Sequence, residues 1–483
     1  MKEILEKYEP VIGLEIHVQL DTKTKAYASE ALDYGASPNT LVSPISLGHP
    51  GTLPKANQQV VEYAVRLGLA CSCDIRERNE YARKNYFYVD LPKGYQITQD
   101  TTPICTGGFV EIKDAEGKLK KIGLTRIHME EDSGKSIHDI DPFNTLVDLN
   151  RAGTPLLEIV SEPEFKNGQE AYNYLSEMRK LVRYLDISDG NMEEGSLRCD
   201  VNISIKPIGR KKFGTKVEVK NMNSFRNVQK AIDYEIKRQY ELIESGGEVE
   251  QQTMNFDATT GKTILLRAKE DAHDYRYFPE PDLQPVMVRQ DYIKGVQDEL
   301  PPLPKQLFEK YKKLNLSDYD AGLLTDTKEI ALFFEDVIEN TKQHKTAANW
   351  MMGPIKSYLN DKALNITDFP VSPKKIAQLI EMVAANQVSN SAASGELLRL
   401  LIENPEANPE KLAEEHNLLQ ESDSNALEAL VTQALDKYPD KVEAYKAGKK
   451  GLMGLFVGEV MKLSKGKADP KLTNQILQDK LDN

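Results

Sequence analysis

Residues 11–20 read VIGLEIHVQL, and the alternation is unbroken. Ile12, Leu14, Ile16, Val18 and Leu20 point one way, while Glu15, His17 and Gln19 point the other, because strand side chains alternate faces. A half-buried strand needs a polar outer face, and Thr, Lys or Ser would satisfy it. Here that face carries a carboxylate and an imidazole side by side, a pairing that suits a divalent metal. An isolated Glu-x-His is more often a solvated face with an incidental histidine. Recurrence of the pattern argues against that reading here.

Residues 197–205 place Leu197, Cys199, Val201, Ile203 and Ile205 on one face and Arg198, Asp200, Asn202 and Ser204 on the other. Residues 216–220 repeat the logic, with Val217 and Val219 inward and Lys216, Glu218 and Lys220 outward. Residues 155–161 set Glu158 among Leu156, Leu157, Ile159 and Val160, and a buried carboxylate needs a metal or a cation. An antiparallel sheet commonly buries one face and leaves the other free. The free face of this one carries Glu, Asp, His, Lys, Arg and Asn, the composition of a site that handles phosphate with metals. Two acidic clusters border these strands, residues 128–135 (HMEEDSGK) and 191–196 (NMEEGS). No G-x-x-x-x-G-K-[ST] occurs, and no G-x-G-x-x-G opens a helix after a strand. A nucleotide is therefore expected on a sheet, not on a glycine-rich loop.

The chain has 483 residues, 40% hydrophobic and 28% charged, which predicts a globular protein of two to four domains. The opening residues lack the apolar core of a signal peptide, and no apolar run is long enough to span a bilayer. Four cysteines in such a length point to a reducing compartment. Cys71-x-Cys73 with Cys105 supplies one close pair, short of the four ligands of a structural zinc site, so reduced thiols are expected. A net charge of −13 excludes a generic RNA coat. It leaves room for a local basic patch, and Lys446, Lys449, Lys450, Lys462, Lys465, Lys467 and Lys471 cluster near the end. These lysines flank the apolar run 452–457.

Helices are predicted near 168–185 and 224–244, the second capped by Asn223-Ser224 and ended by Gly246. Pro301, Pro302 and Pro304 make a stiff linker. Beyond it, amphipathic helices are predicted over 327–340, 346–359 and 372–386, with Trp350 in their core. Pro405 and Pro409 mark a further break. The domains read as 1–295, 296–408 and 409–483.

Seven spaced stretches resemble the B subunits of the bacterial-type glutamyl/aspartyl-tRNA amidotransferases: residues 11–20, 83–99 (RKNYFYVDLPKGYQITQ), 125–135, 149–163 (LNRAGTPLLEIVSEP), 192–204, 213–225 and 274–282 (DYRYFPEPD). The likeness spans essentially the whole chain. Val89 departs from it, where the family usually has Pro, and the cysteines with which some members bind zinc are incomplete. The resemblance implies an α+β fold: an antiparallel-sheet cradle like the glutamine synthetase catalytic fold, an all-α domain and a small all-α tail that binds tRNA. It implies ATP and Mg2+ as cofactors and a cytoplasmic heterotrimer, in which the A subunit is an amidase and the C subunit is small. The implied reaction phosphorylates the side-chain carboxylate of misacylated glutamyl- or aspartyl-tRNA, and ammonia then displaces phosphate. A stand-alone carboxylate–amine ligase would not need a Lys-rich tail, and an inactive tRNA scaffold would not need carboxylates gathered on one face.

Within that frame the expected metal ligands are Glu15, His17, Glu131 and Glu158, with Glu130 the second choice at its position. Asp200, Glu193 and Glu218 are expected at a second metal or phosphate locus. Arg83, Lys84, Lys216, Arg198, Lys220 and Arg276 are expected to neutralise phosphate, Lys84 and Lys216 beside the reacting group. Tyr86 and Tyr95 are candidates to pack on the nucleotide or on the terminal adenosine, with the core as the alternative.

Overall fold

The computed structural model describes residues 2–114, 116–268, 274–420, 424–464 and 467–482. It divides between Leu303 and Pro304, inside the proline linker, into two compact units.

The first unit is built on a ten-stranded sheet. Its strands are β1 (Tyr8–Gln19), β2 (Asp74–Ile75), β3 (Cys105–Thr106), β4 (Phe109–Lys113), β5 (Leu119–Glu131), β6 (Pro155–Ser161), β7 (Leu197–Pro207), β8 (Val217–Lys220), β9 (Gln252–Asp257) and β10 (Lys262–Ala268). Their order is β10-β9-β8-β7-β1-β6-β5-β3-β2, with β4 paired to β5. The opening stretch thus lies at the centre, between β6 and β7. All pairings are antiparallel except one: β8 and β9 run parallel. This corrects the expectation of a purely antiparallel sheet. The cause is the helix Phe225–Glu244 between those two strands, because a helical crossover returns the chain in the same direction.

The apolar face of the sheet is covered by the helices Gln58–Ala70, Gly168–Tyr184 and Phe225–Glu244, whose buried residues join the same core as Ile12, Leu14, Ile16 and Val18. Asn167 caps the second helix by accepting the Glu170 N–H, and Ser224 caps the third by accepting the Asn227 N–H. Ile16 has no exposed surface, so Ile16→Ala should lower unfolding stability by about 2–5 kcal/mol. Chemical denaturation checks this. A cost well under that range would show that the alternation of β1 does not define the core.

A small sheet of Phe278–Pro279, Ala82–Asn85 and Tyr95–Thr98 leans on the end of β5. The side chain of Gln96 donates to the Glu131 carbonyl at 2.6 Å.

The second unit is helical. Thr327 caps Lys328–Glu339 by accepting the Ile330 N–H. The helix predicted over 346–359 runs from His344 to Lys362 but passes through a π-helical turn at Met351–Ile355. Pro354 lies in that turn and has no N–H for a regular helical bond. Trp350 is buried, as expected.

The break expected near 409 falls inside packed structure. Pro409–Glu415 buries Leu412 and Ala413, Leu419 bridges Val388, and the Gln420 N–H donates to the Gln387 carbonyl at 2.7 Å. A separate small core then forms from residues such as Leu427, Val431, Phe456, Val460 and Leu477. On this module Lys446, Lys449, Lys450, Lys462 and Lys471 are exposed, and Lys467 is half-buried. Lys465 lies outside the described residues.

Candidate functional site

The register of the central strands sets the site. His17 pairs with Arg198 on one side and with Glu158 on the other, and Glu158 pairs with His128. Glu15 pairs with Asp200. These residues face away from the core, so the polar row expected from alternation is continuous across β7, β1, β6 and β5.

The imidazole of His17 stands between two carboxylates. Its Nε2 is 3.4 Å from Glu130 Oε1 and 3.4 Å from Glu158 Oε2. His128 Nε2 closes the group at 3.6 Å from Glu130 and 3.5 Å from Glu158. Charge-assisted hydrogen bonds are shorter, about 2.7–2.9 Å. At these distances the imidazoles and carboxylates face one another as ion pairs. Among the described residues two sets have ligand atoms within 4.8 Å of one another: His17, Glu130 and Glu158, and Glu15, His17 and Asp200. Each offers two carboxylates and one imidazole. Mg2+ is usually held by one or two carboxylates plus substrate phosphates, so the carboxylate pair of each set fits such an ion.

The electrostatics agree. Burial opposes the charged form of His17, but the Glu158 hydrogen bond and the charges of Glu130, Glu158 and Glu15 raise its pKa to about 9. Burial would raise the Glu158 carboxyl, yet His128, His17 and Arg126 hold it far below the usual carboxylate range. Burial raises the Glu15 carboxyl, helped by the nearby charges of Glu158 and Asp200. Burial opposes the charge of Lys220 too, but Asp200 and Glu218 hold its ammonium well above the ordinary range.

Beside these groups lies a cleft of about 360 Å³, lined by His17, Lys84, Tyr86, Glu130, Arg198 and Lys220 among others. Two of its cations are held in place by carboxylates. Arg198 Nη2 donates to Asp132 at 2.7 Å, and the same carboxylate oxygen accepts from the Gln19 side chain at 2.9 Å. Lys220 pairs with Asp200 and lies 3.2 Å from Glu218.

Several expected site residues are placed elsewhere. Glu131 follows Glu130 by one position and so faces the other side of β5. It accepts the Ile97 N–H at 2.9 Å and pairs with Lys93. Glu130 is the ligand candidate. Glu218 lies on the polar face but binds Lys220 and the Thr253 hydroxyl, at 2.9 Å, outside both donor sets. Glu193 is exposed in a turn, its N–H donating to Asn191. Arg83 is clamped by Glu280 at 2.7 and 2.9 Å and by Asp282 at 3.1 Å, stacked over Tyr95 with its guanidinium 4.1 Å from the ring centre. That stack accounts for Tyr95, and Arg83 does not line the cleft. Lys216 and Arg276 are exposed and do not line the cleft.

Arg126 is not among the residues expected from the sequence, and His128 and Asp132 lie in the 128–135 cluster without being singled out there. Parity on β5 is the available signal, since Ile127 and Met129 are core and His128 and Glu130 must oppose them. Burial pushes the Cys71 and Cys105 thiols well up, and the Cys73 thiol up to about 12. Among the described residues no group of metal-ligating side chains includes a cysteine.

Residues 10–294 match the family described as the GatB/GatE catalytic domain, and residues 332–481 match the GatB domain. The B subunit of the aspartyl/glutamyl-tRNA(Asn/Gln) amidotransferase of Persephonella marina is 48% identical over 477 residues, covering 98% of this chain and 100% of that protein. The protein of the same name from Geotalea uraniireducens is 49% identical over 479 residues, covering 98% and 99%.

Proposed function

Because this chain belongs to the family of tRNA amidotransferase B subunits, we propose that it converts Glu-tRNA(Gln) and Asp-tRNA(Asn) to Gln-tRNA(Gln) and Asn-tRNA(Asn) with ATP, activating the substrate carboxylate on its polar sheet face. The observation that carries this reading is His17 between Glu130 and Glu158, with Glu15 and Asp200 beside it and Lys84, Arg198 and Lys220 in the same cleft.

Ammonia does not displace oxygen from a carboxylate, because oxide is too poor a leaving group. In the proposed route a side-chain carboxylate oxygen attacks the γ-phosphorus of ATP, and ADP departs. Ammonia then attacks the acyl carbon. The C–O bond breaks, phosphate leaves with the electron pair, and loss of a proton gives the amide. Phosphoryl transfer needs mainly positioning and charge neutralisation. Mg2+ held by the Glu15–His17–Asp200 or the His17–Glu130–Glu158 set would neutralise charge on the phosphoryl oxygens. Arg198, fixed by Asp132, and Lys220, fixed by Asp200, keep their positive ends at the cleft. Lys84 adds a third cation from the small sheet.

We read the first unit as a cradle of the glutamine synthetase type, supported by a sheet with helices on its apolar face and chemistry on the other. Ammonia would come from glutamine on the amidase, in a cytoplasmic heterotrimer that a small third chain completes. No helix among the described residues is long and apolar enough to cross a membrane. The module after Gln420 would hold tRNA through its exposed lysines.

The test is reconstitution with both partner proteins, glutamine, ATP and Mg2+, on the two misacylated tRNAs. Amidation should depend on ATP and be absent for the chain alone. Truncation after Gln420 spares the packed helix Pro409–Glu415. It should raise the KM for tRNA by about tenfold, leave kcat nearly unchanged and flatten the salt dependence of binding. Amidation without ATP cleavage would overturn the reading.

A further inference from the structure

Arg126, His128 and Glu130 hold alternate positions of β5 and so share its polar face. The row runs beside β6, where Glu158 pairs with His128 in the register. One guanidinium addresses two of these groups. Arg126 Nε donates to His128 Nδ1 at 3.4 Å, and its Nη2 donates to Glu158 Oε1 at 3.3 Å. With Nδ1 taken, His128 turns Nε2 to the carboxylates, 3.6 Å from Glu130 Oε2 and 3.5 Å from Glu158 Oε2. The carboxylate oxygens divide accordingly. Glu158 gives Oε1 to Arg126 and turns Oε2 to His17. Glu130 gives Oε2 to His128 and turns Oε1 to His17. His17 lines the cleft, whereas His128 and Arg126 do not. Among the described residues His128 belongs to neither donor set.

Resting on the reading above, we infer that Arg126 is a positioning residue: its planar fork holds Glu158 directly and Glu130 by way of His128, so that each keeps one oxygen aimed inward for a divalent cation. Two carboxylates that face one imidazole repel each other, and a cation between them gains most when neither has to be reoriented. Charge alone does not require an arginine here. A lysine would compensate Glu158, but its ammonium is a point charge and cannot present two N–H groups in one fixed plane. Arg126 does this from behind the carboxylates. The cations that line the cleft itself are Lys84, Arg198 and Lys220. Arg126 thus acts on the phosphoryl group only through the ligands it aims.

The experiment measures Mn2+ binding to the full-length chain without nucleotide, from the loss of the free-ion electron paramagnetic resonance signal. Arg126→Ala and Arg126→Lys should each weaken it by about tenfold or more, the cost of losing a group that orients a metal ligand. Arg126 is part-exposed on the polar face, so its loss empties no core, and the lysine keeps Glu158 compensated. In the reconstituted enzyme both variants should raise the KM for Mg2+, and saturating Mg2+ should restore kcat to within about threefold. Unaltered Mn2+ affinity in Arg126→Lys would show that charge suffices and would overturn this inference alone. Variants that spare Mn2+ binding but weaken ATP binding would do the same, since they would place Arg126 on the phosphate. So would a kcat that Mg2+ does not restore. Failure of the unaltered chain to bind Mn2+ would overturn it together with the metal-dependent reading it rests on.

Discussion

Replacing His17 with Ala should cut ATP-dependent amidation by at least about a hundredfold, since groups merely supporting metal ligands already cost about 10–100-fold when lost. Two independent facts place the effect there. His17 belongs to both donor sets, so its loss disables each. It also lies on the face opposite Ile16 and Val18, so no core side chain loses a neighbour. His128 and Arg126 remain to compensate Glu158, which keeps the fold. In the proposed assembly glutamine hydrolysis should continue, because that chemistry is assigned there to the amidase. Glu15→Gln should act in the same direction through one donor set. Amidation near the unaltered rate in His17→Ala would remove the metal assignment.

The second large effect is on pH. Without metal, His17 titrates near 9, above its ordinary value of about 6.5. The imidazolium therefore stabilises the metal-free fold fully below about 6.5, and that contribution fades as pH rises through about 9. A metal must displace the same proton. Affinity for a divalent cation should therefore climb by about tenfold per pH unit between roughly 6.5 and 9, then level off. Stabilisation of the chain by Mg2+ should grow with pH over the interval in which the metal-free chain loses stability. Thermal unfolding with and without Mg2+ from pH 6.5 to 9 reads both trends. The same two slopes should flatten in His17→Asn. A cation effect that is flat across this range would mean that His17 is not displaced by metal.

These groups are legible in the sequence to different depths. Alternation alone places Glu15, His17, Asp200 and Lys220 on one face, because parity is a local property and the side-chain period is two. The same parity distinguishes Glu130 from Glu131 once Ile127 and Met129 are taken as core, so a preference for Glu131 neglects a signal that is present. The parallel pairing of β8 with β9 is only half visible, since a helix is predicted directly after residues 216–220 but no strand after it. Arg83 is different. Its partner Glu280 is 197 positions away, and nothing local tells a clamped arginine from one that meets phosphate. Glu193 illustrates the same limit in a turn, where no periodicity says which way a side chain faces. The tail boundary expected at Pro409 fails for another reason. A proline can open a packed helix as readily as end a domain, and here it does the former.

In the proposed route the polar sheet face activates a carboxylate by phosphorylation. Oxygen-18 placed in the side-chain carboxylate of the misacylated tRNA tests it most directly, followed through one turnover by the reconstituted enzyme. Attack of that oxygen on the γ-phosphorus carries the label into inorganic phosphate, with ADP unlabelled. Label appearing in AMP would instead mean adenylation at the α-phosphorus, and would contradict the account.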